Sequence, residues 1–365
     1  MPSNDQGLLL QPYPLGSLRL KNRVVMSAMT RVRADAAGCV QSFAVDYYRQ
    51  RAGAGLILSE ATNISPQAVG APATPGIWAD RQVESWRRVT AAVHEAGGLI
   101  FLQLWHTGRL SHEDLQPQGA APVAPSALRP VGQAFTPTGM KDYPVPRALR
   151  SEEIPAIVQQ YGQAAARAKD AGFDGVEIHS ANNYLIEQFI RDSSNHRKDE
   201  YGGSIENRLR FPLGVAQAVV AAWGPGRVGV KISPTTTYCA ELDSDVMATY
   251  GTYLDKLDRL GLAYIHCTEG TTFVTRDCAP EIDFVKLRER FRGPYIANNC
   301  FQQGDAAEAI SRGRADLVSF GRPFIGNPDL VERFRAGATL VNAPKECWYG
   351  GDHRGYSDWP ALAPT

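Results

Sequence analysis

The stretch Asp-Gly-Val-Glu-Ile-His-Ser-Ala-Asn-Asn-Tyr, residues 174–184, joins a short apolar run to a polar cluster. The run 174–180 has the length and character of a buried β-strand. The cluster supplies an imidazole at His179, a carboxamide at Asn182 and a phenol at Tyr184. These groups suit the polarisation of a carbonyl and the delivery of a proton. A structural histidine beside an asparagine would give the same pattern, so the surroundings must decide.

The same kind of run recurs along the chain, and this recurrence predicts the fold. The candidate strands are 24–29, 55–61, 99–105, 174–180, 228–234, 264–269, 294–299 and 317–322. Amphipathic segments lie between them, as in Val83, Trp86, Val89 and Val93, with apolar residues three and four positions apart. Alternating strands and helices pair in parallel, and eight such units close into a barrel. We therefore predict an α/β fold, a single (β/α)8 TIM barrel in one domain spanning residues 1–365.

Two segments fall outside this repeat. Residues 15–23 have the pattern of a short hairpin, which we expect to plug the N-terminal mouth of the barrel. Residues 106–150, after the third strand, contain seven prolines and cannot be helical throughout. Long connections in compact domains are usually functional or disordered. We expect an ordered lid over the C-terminal face, where the active sites of such barrels lie.

Composition and charge narrow the function classes. Lys plus Arg and Asp plus Glu both number 38, so no basic field favours nucleic acid or a membrane surface. The six cysteines lack CxxC spacing and the seven histidines lack an HExxH pair, so we expect reduced thiols and no metal. The N-terminus carries no basic region followed by a long apolar run, which leads us to expect a cytoplasmic protein without membrane association.

The strand ends assign candidate site residues by position. They are Met29 and Thr30, then Ala61, Gln103 and Trp105, then His179 and Asn182, Lys231, Asn299 and Cys300, and finally Gly321 with Arg322. Barrels often bind a phosphate after the seventh and eighth strands. Gly321 permits close backbone approach and Arg322 can contact two phosphate oxygens at once. On this feature alone, a non-flavin aldolase or isomerase, or an ordinary arginine at a strand end, stays open.

Several ordered motifs carry a family resemblance. They are AMTR (28–31), QLWHTGR (103–109), HSANNYLIEQF (179–189), YGGSIENRLRF (201–211), FGRPFIGNPDL (320–330) and WYGG (348–351). With these motifs the chain resembles the Old Yellow Enzyme family of FMN-dependent ene-reductases, in its threonine-containing branch. The resemblance extends from Leu15 to about Leu362.

The resemblance implies a cofactor, a reaction and roles for residues. FMN would be reduced by NADPH or NADH, which leaves before an activated alkene enters the same pocket. The implied FMN-binding residues are Ala28, Met29, Thr30, Ala61, Gln103, His179, Lys231, Asn299, Cys300, Gly321 and Arg322. His179 and Asn182 would donate to the substrate carbonyl and Tyr184 would protonate the α-carbon. Trp105 and Tyr349 would line the substrate pocket.

The chain departs from the family pattern at four places. Lys231 stands where arginine is usual, Asn299-Cys300 where a glycine-rich turn is usual, Asn183 where glycine is usual, and Ala28 where proline is common. Lysine keeps the charge but loses the bidentate fork. We expect the side chains of the Asn299-Cys300 turn to point away from the phosphate. We also expect Asn183 to affect the placement of Tyr184.

The resemblance leaves alternatives open. A nitrate-ester or xenobiotic reductase could use the same scaffold, and a flavin-binding sensor with little turnover is a further possibility. The sequence does not choose between a monomer and a homodimer, between NADPH and NADH, or among unsaturated carbonyl and nitro substrates.

Overall fold

A closed parallel barrel forms the centre of the molecule. The computed structural model describes residues 5–271 and 282–363, and eight parallel strands of this part close on one another. They are β1 Val24–Met26, β2 Leu56–Leu58, β3 Ile100–Trp105, β4 Gly175–Ser180, β5 Val228–Ile232, β6 Tyr264–Thr268, β7 Tyr295–Asn298 and β8 Leu317–Phe320. β8 pairs with β1, and β4 pairs with both β3 and β5, which completes the ring. The prediction of a (β/α)8 barrel is confirmed.

Each observed strand lies within its predicted run and is generally shorter at its C-terminal end. The residues beyond the ladder, such as Thr30 after β1 and Arg322 after β8, belong to the loops of the site. Strands buried on both faces appear in sequence as nearly continuous apolar runs, which explains why the runs were recognisable.

Helices surround the barrel and connect its strands. Those that follow β1 to β8 in turn are Phe43–Arg49, Asp80–Glu95, Ile154–Asp170, Arg210–Trp223, Val246–Leu257, Phe284–Glu289, Gln303–Ser311 and Leu330–Ala336. Further helices are Asp5–Leu9, Leu185–Ile190, Ile205–Arg208 and Arg322–Gly326. In the helix Asp80–Glu95 the predicted face is buried, because Val83, Trp86, Val89 and Val93 pack into the main core.

A β-hairpin closes the N-terminal mouth of the barrel. Its strands are Tyr13–Leu15 and Leu18–Leu20, so it begins two residues before the predicted segment and ends three residues before that segment does. Gly16 in the turn has φ of 58°, a conformation that glycine adopts without strain. Leu15 and Leu20 are fully buried in a cluster with barrel residues such as Leu58 and Phe101. The hairpin therefore acts as the expected plug.

The excursion after β3 is structured. It contains a hairpin of Gln133–Thr136 with Gly139–Asp142, and a short parallel pair of Val123–Ala124 with Arg147–Ala148. The remaining short elements are the strand Thr62–Asn63 and 3₁₀-helical turns at Pro66–Ala68, Glu113–Leu115, Pro117–Gly119, Ser151–Glu153, Asp258–Leu260 and Lys345–Cys347.

Within residues 5–271 and 282–363, no helix combines the length and apolar character needed to cross a membrane. Cys39, Cys239, Cys267, Cys300 and Cys347 are free thiols, whereas Cys278 lies outside the described residues.

Candidate active site

Three aromatic residues meet at the C-terminal end of the barrel. Tyr184 makes edge contacts with Trp105, at 5.1 Å between ring centroids, and with His179, at 4.9 Å. The three come from the end of β3, from β4 and from the turn after β4, so the structure brings together residues 79 positions apart in the chain, Trp105 and Tyr184. The polar cluster that opened the sequence is thus part of one compact site.

His179 presents a buried nitrogen that the protein does not use. Within the described part of the chain, its Nδ1 has no hydrogen-bond partner. Burial lowers the pKa of His179 well below its usual range, and the Lys231 ammonium adds to this effect. The ring is therefore neutral and carries one N–H. A buried ring nitrogen of this kind is available to bind a ligand.

The turn after β4 has two successive residues in the left-handed region. Asn182 has φ of 56° and Asn183 has φ of 57°, a conformation that asparagine tolerates better than most residues. Asn182 N donates to Ser233 Oγ over 2.7 Å, and Asn183 N donates to Glu187 Oε2 over 2.6 Å. The hydroxyl of Ser233 in turn donates to the Glu187 carboxylate. Asn183 therefore keeps the backbone shape that glycine would give.

Glu187 is the anchor of this turn. Its fully buried carboxylate pairs with the Arg191 guanidinium at 3.3 Å and accepts a hydrogen bond from the Tyr250 hydroxyl over 2.6 Å. Removing one partner of a buried ion pair leaves an uncompensated charge and costs about 3–5 kcal/mol. The turn that carries Asn182 and Tyr184 is therefore fixed by a network whose disruption would be strongly destabilising.

A second polar network lies in the barrel interior beneath the site. Gln103 Nε2 donates to Glu177 Oε1 over 2.6 Å, and the other carboxylate oxygen of Glu177 bonds to His266 Nδ1 over 2.8 Å. His266 Nε2 continues the chain to Ser319 Oγ over 2.8 Å. Burial alone would raise the pKa of Glu177, but His266 and Lys231 outweigh it and the pKa is lowered. An ionised carboxylate only accepts, so it fixes the orientation of the Gln103 amide.

Sequence reasoning missed Glu177 and His266. Both stand inside strands that are otherwise apolar, Glu177 in β4 and His266 in β6. A charged residue within a strand buried on both faces was the signal that could have found them, because such a group needs a partner.

Lys231 is placed beside these groups. It pairs in register with His179 of β4 and His266 of β6, and it is only 6% exposed. Burial lowers the pKa of its ammonium, while the Glu177 carboxylate opposes the shift. The two predicted residues Lys231 and His179 thus lie side by side on adjacent strands.

The ends of β7 and β8 form a concave corner. Asn299 and Cys300 have φ of 103° and 52°, and successive N–H groups in this conformation can face an anion. Arg322 Nη2 lies 3.2 Å from Cys300 Sγ, so the two strand ends meet. The Asn299 amide points back to the carbonyls of Glu269 and Thr271. The Asn299 side chain is thus engaged by the loop after β6, whereas the Cys300 thiol contacts the arginine; their direction relative to a phosphate stays a prediction.

The remaining predicted residues surround this corner and the ring cluster. Ala28, Met29 and Thr30 are half-buried after β1, and Ala61 is buried after β2. A Cβ added to Gly321 would meet Met29 Sδ at an ordinary 3.6 Å, so the protein itself does not require glycine there. Room for the backbone to approach a ligand is a sufficient reason for it.

Tyr349 is held over the site by its neighbours in the chain. Arg31 Nε donates to the Trp348 carbonyl over 2.8 Å, and Gly350 N donates to the Arg31 carbonyl over 2.9 Å. Burial raises the pKa of Tyr184, and the nearby phenols of Tyr238 and Tyr349 add to the shift. Tyr238 was not predicted from the sequence, because no local pattern marks the loop that carries it.

The site has the groups that a flavin mononucleotide requires. The Gln103 amide and Lys231 ammonium suit the polar edge of an isoalloxazine ring, and the Asn299-Cys300 corner with Arg322 suits a phosphate. His179 adds a buried ring nitrogen that has no partner in the part of the chain described by the structure. Barrel and site together define a flavin-binding (β/α)8 oxidoreductase.

The comparisons with known proteins agree. Residues 8–340 match the model of the NADH:flavin oxidoreductase / NADH oxidase family. The chain belongs to this family, within the Old Yellow Enzyme group, and it is an NAD(P)H-dependent flavin oxidoreductase whose cofactor is FMN.

Relatives cover nearly the whole chain. 12-Oxophytodienoate reductase 1 of Oryza sativa subsp. japonica is 42% identical over 97% of this chain and 93% of its own length. A structure of morphinone reductase in complex with tetrahydroNAD is 48% identical, with a TM-score of 0.92, over 97% of this chain and 98% of that chain. The Old Yellow Enzyme homologue from Zymomonas mobilis is 43% identical, with a TM-score of 0.93, over 97% and 99%.

Proposed function

We propose that this flavoenzyme reduces the C=C bond of α,β-unsaturated carbonyl or nitro compounds, with Tyr184 as the proton donor and the whole chain acting as one FMN-binding unit. The observation that carries the proposal is the buried Nδ1 of His179 beside the Tyr184 ring, which has no hydrogen-bond partner among residues 5–271 and 282–363. The names of the relatives support it, since they denote reductases of an oxo compound and of a ketone. Family membership also replaces the earlier alternative of a non-flavin aldolase or isomerase.

We assign the cofactor to the predicted strand-end residues. Thr30 and Gln103 would bind the polar edge of the ring, and Lys231 would place positive charge beside its N1 and O2 atoms. The N–H groups of Asn299 and Cys300 would hold the phosphate together with Gly321 and Arg322, while Ala28, Met29 and Ala61 would contact the ring through backbone or apolar surface. Lys231 is buried as this role requires, although it lacks the fork of an arginine.

Bound FMN, once reduced by NADPH or NADH, supplies a hydride for the β-carbon of the acceptor. His179 and Asn182 would donate hydrogen bonds to the carbonyl or nitro oxygen, which withdraws electrons from the alkene. A neutral His179 retains one ring N–H for this purpose, in keeping with its lowered pKa.

Tyr184 would deliver the proton to the α-carbon. Burial raises the pKa of its phenol, so the hydroxyl keeps its proton at neutral pH. A positioned general acid contributes roughly 10² to 10⁴ fold to a rate. Trp105 packs against Tyr184 and Tyr349 lies nearby, so both would limit which acceptors fit.

The test is a panel of acceptors on protein loaded with FMN. Oxidation of NADPH and NADH is followed with cyclohexenone, a maleimide, a nitroalkene and a nitrate ester. We expect turnover with the first three and a loss of it in the His179→Ala, Asn182→Ala double variant, because the acceptor oxygen then has no donor. Turnover only with the nitrate ester would instead favour a nitrate-ester reductase on the same scaffold. Turnover with none of them, in protein with full flavin content, would refute the proposal.

A further inference from the structure

The carboxamide of Asn183 connects the turn after β4 to a distant loop. Its Nδ2 donates to the Tyr238 carbonyl over 2.6 Å, across 55 positions of sequence. The Asn183 carbonyl itself accepts from Gln188 Nε2 over 2.6 Å, and the residue is fully buried. The main chain of Asn183 is therefore held by Gln188, while its side chain binds the main chain of the distant loop at Tyr238.

The loop 235–242 is tied to the protein mainly at its ends. The Arg191 guanidinium donates to the Thr236 carbonyl over 2.8 Å and to the Glu241 carbonyl over 3.1 Å. Between these anchors, Tyr238 is 47% exposed and Cys239 has φ of 57°. The bond from Asn183 to the Tyr238 carbonyl lies between these two anchors.

This loop lies close to Tyr184. Cys239 and Tyr184 both pack against a small apolar cluster of Leu110, Ala134 and Tyr143, which belongs to the excursion after β3. The phenols of Tyr143 and Tyr238 interact, and the nearby Tyr238 phenol helps to raise the pKa of Tyr184. A shift of the loop would therefore move groups next to the proton donor.

We propose that Asn183 is a positioning residue for substrate selection, which acts through its bond to the Tyr238 carbonyl and keeps the pocket narrow beside Tyr184. The inference rests on the proposed alkene reduction and adds to it the acceptor class: compact unsaturated carbonyl compounds are favoured over those with a bulky substituent.

Asn183→Gly and Asn183→Asp test the proposal. Glycine retains the left-handed backbone and removes the carboxamide, whereas aspartate retains the size and has no donor for the carbonyl. For both variants we expect the ratio of kcat/KM for phenyl-substituted cyclohexenone to that for cyclohexenone to rise by roughly 3- to 10-fold, the range that one net hydrogen bond gives. Gln118→Gly is the matched control, because Gln118 is an exposed residue with φ of 57° and should leave the ratio unchanged.

A double-mutant cycle separates positioning from general damage. Tyr238→Ala keeps the main-chain carbonyl that accepts from Asn183 and removes the phenol that this bond would position. If Asn183 acts by placing that phenol, Asn183→Gly changes the ratio much less in the Tyr238→Ala background than in the wild type. Additive effects, or an equal loss with both acceptors in both Asn183 variants, would overturn the inference while leaving alkene reduction intact. Failure of the wild-type, flavin-loaded protein to reduce either acceptor would refute the proposed function and this inference together.

Discussion

Glu177 lies directly beneath the residue that we assign to the flavin ring, and its charge matters for that role. Its carboxylate accepts from Gln103 Nε2 and so leaves the Gln103 Oε1 oxygen free to face the ring. Glu177→Gln keeps the shape but can donate as well as accept, so the Gln103 amide is no longer fixed in one orientation. A hydrogen bond to a charged group contributes about 1.5–3 kcal/mol.

For Glu177→Gln we therefore expect FMN to bind roughly 10- to 100-fold more weakly. Quenching of flavin fluorescence during titration of the FMN-free protein measures this. The free energy of unfolding of the FMN-free variant is the control for general damage. Unchanged affinity would show that Glu177 does not orient Gln103.

Glu60 is a second buried carboxyl, and it predicts a pH dependence of stability. Its Oε2 accepts from the Arg31 N–H over 3.1 Å, and burial raises its pKa from 4.5 to about 7. The folded protein therefore holds this proton more tightly than the unfolded chain does. The contribution to the free energy of unfolding is complete below pH 4.5 and is lost as pH rises through about 7.

Glu60→Gln should remove this component, because glutamine can still accept from Arg31 but does not titrate. We expect the difference in the free energy of unfolding between wild type and variant to change by about 3 kcal/mol as the pH rises from 4.5 to about 7. Urea unfolding of both proteins at several pH values between the two pKa values measures it. Parallel curves for the two proteins would contradict the assignment.

At the scale of elements, the turn between β4 and the helix Leu185–Ile190 depends on a side chain from another strand end. Ser233, directly after β5, accepts from Asn182 N and donates to Glu187. Ser233→Ala removes the hydroxyl that joins the Asn182 N–H to the Glu187 carboxylate, and a net hydrogen bond contributes about 0.5–1.5 kcal/mol. We expect its loss to loosen the turn that carries Asn182 and Tyr184.

We expect Ser233→Ala to lower kcat for alkene reduction more than it raises the KM for the acceptor, since the turn positions Tyr184. Steady-state kinetics and urea unfolding check the two effects. Ser311→Ala, on an exposed helix end, is the matched control and should change neither. A rise in KM alone would indicate that the turn sets binding and not protonation.

The strands and the contacts of this turn differ in how far sequence could predict them. The barrel strands were predicted correctly because each is a local apolar run that needs no knowledge of its partner. The bond from Asn183 to Tyr238 could not be predicted, because it depends on the course of a loop 55 positions away. The Glu177–His266 pair could not be predicted either, because its two residues lie on β4 and β6, which are separated by β5 in the barrel.

At the scale of the whole molecule, the barrel has two chemically different ends. The N-terminal end is filled by an apolar cluster that includes Leu15 and Leu20 of the hairpin. The C-terminal end carries His179, Lys231 and the Gln103–Glu177 pair. This difference between the two ends could be predicted from the sequence, because the strands are apolar runs and polar residues cluster at their C-terminal ends. The course of the proline-rich segment 106–150 could not be predicted, because its sequence has no helical or strand periodicity.

In the proposed function, one pocket at the polar end serves both the nicotinamide and the alkene. Anaerobic stopped-flow measurements separate the two half-reactions by following flavin absorbance. In Tyr184→Phe the ring that packs on Trp105 and His179 is kept, and only the hydroxyl is lost. We predict that reoxidation of the reduced flavin by cyclohexenone slows by roughly 10² to 10⁴ fold, while reduction by NADPH slows far less. An equal loss in both half-reactions would contradict the account.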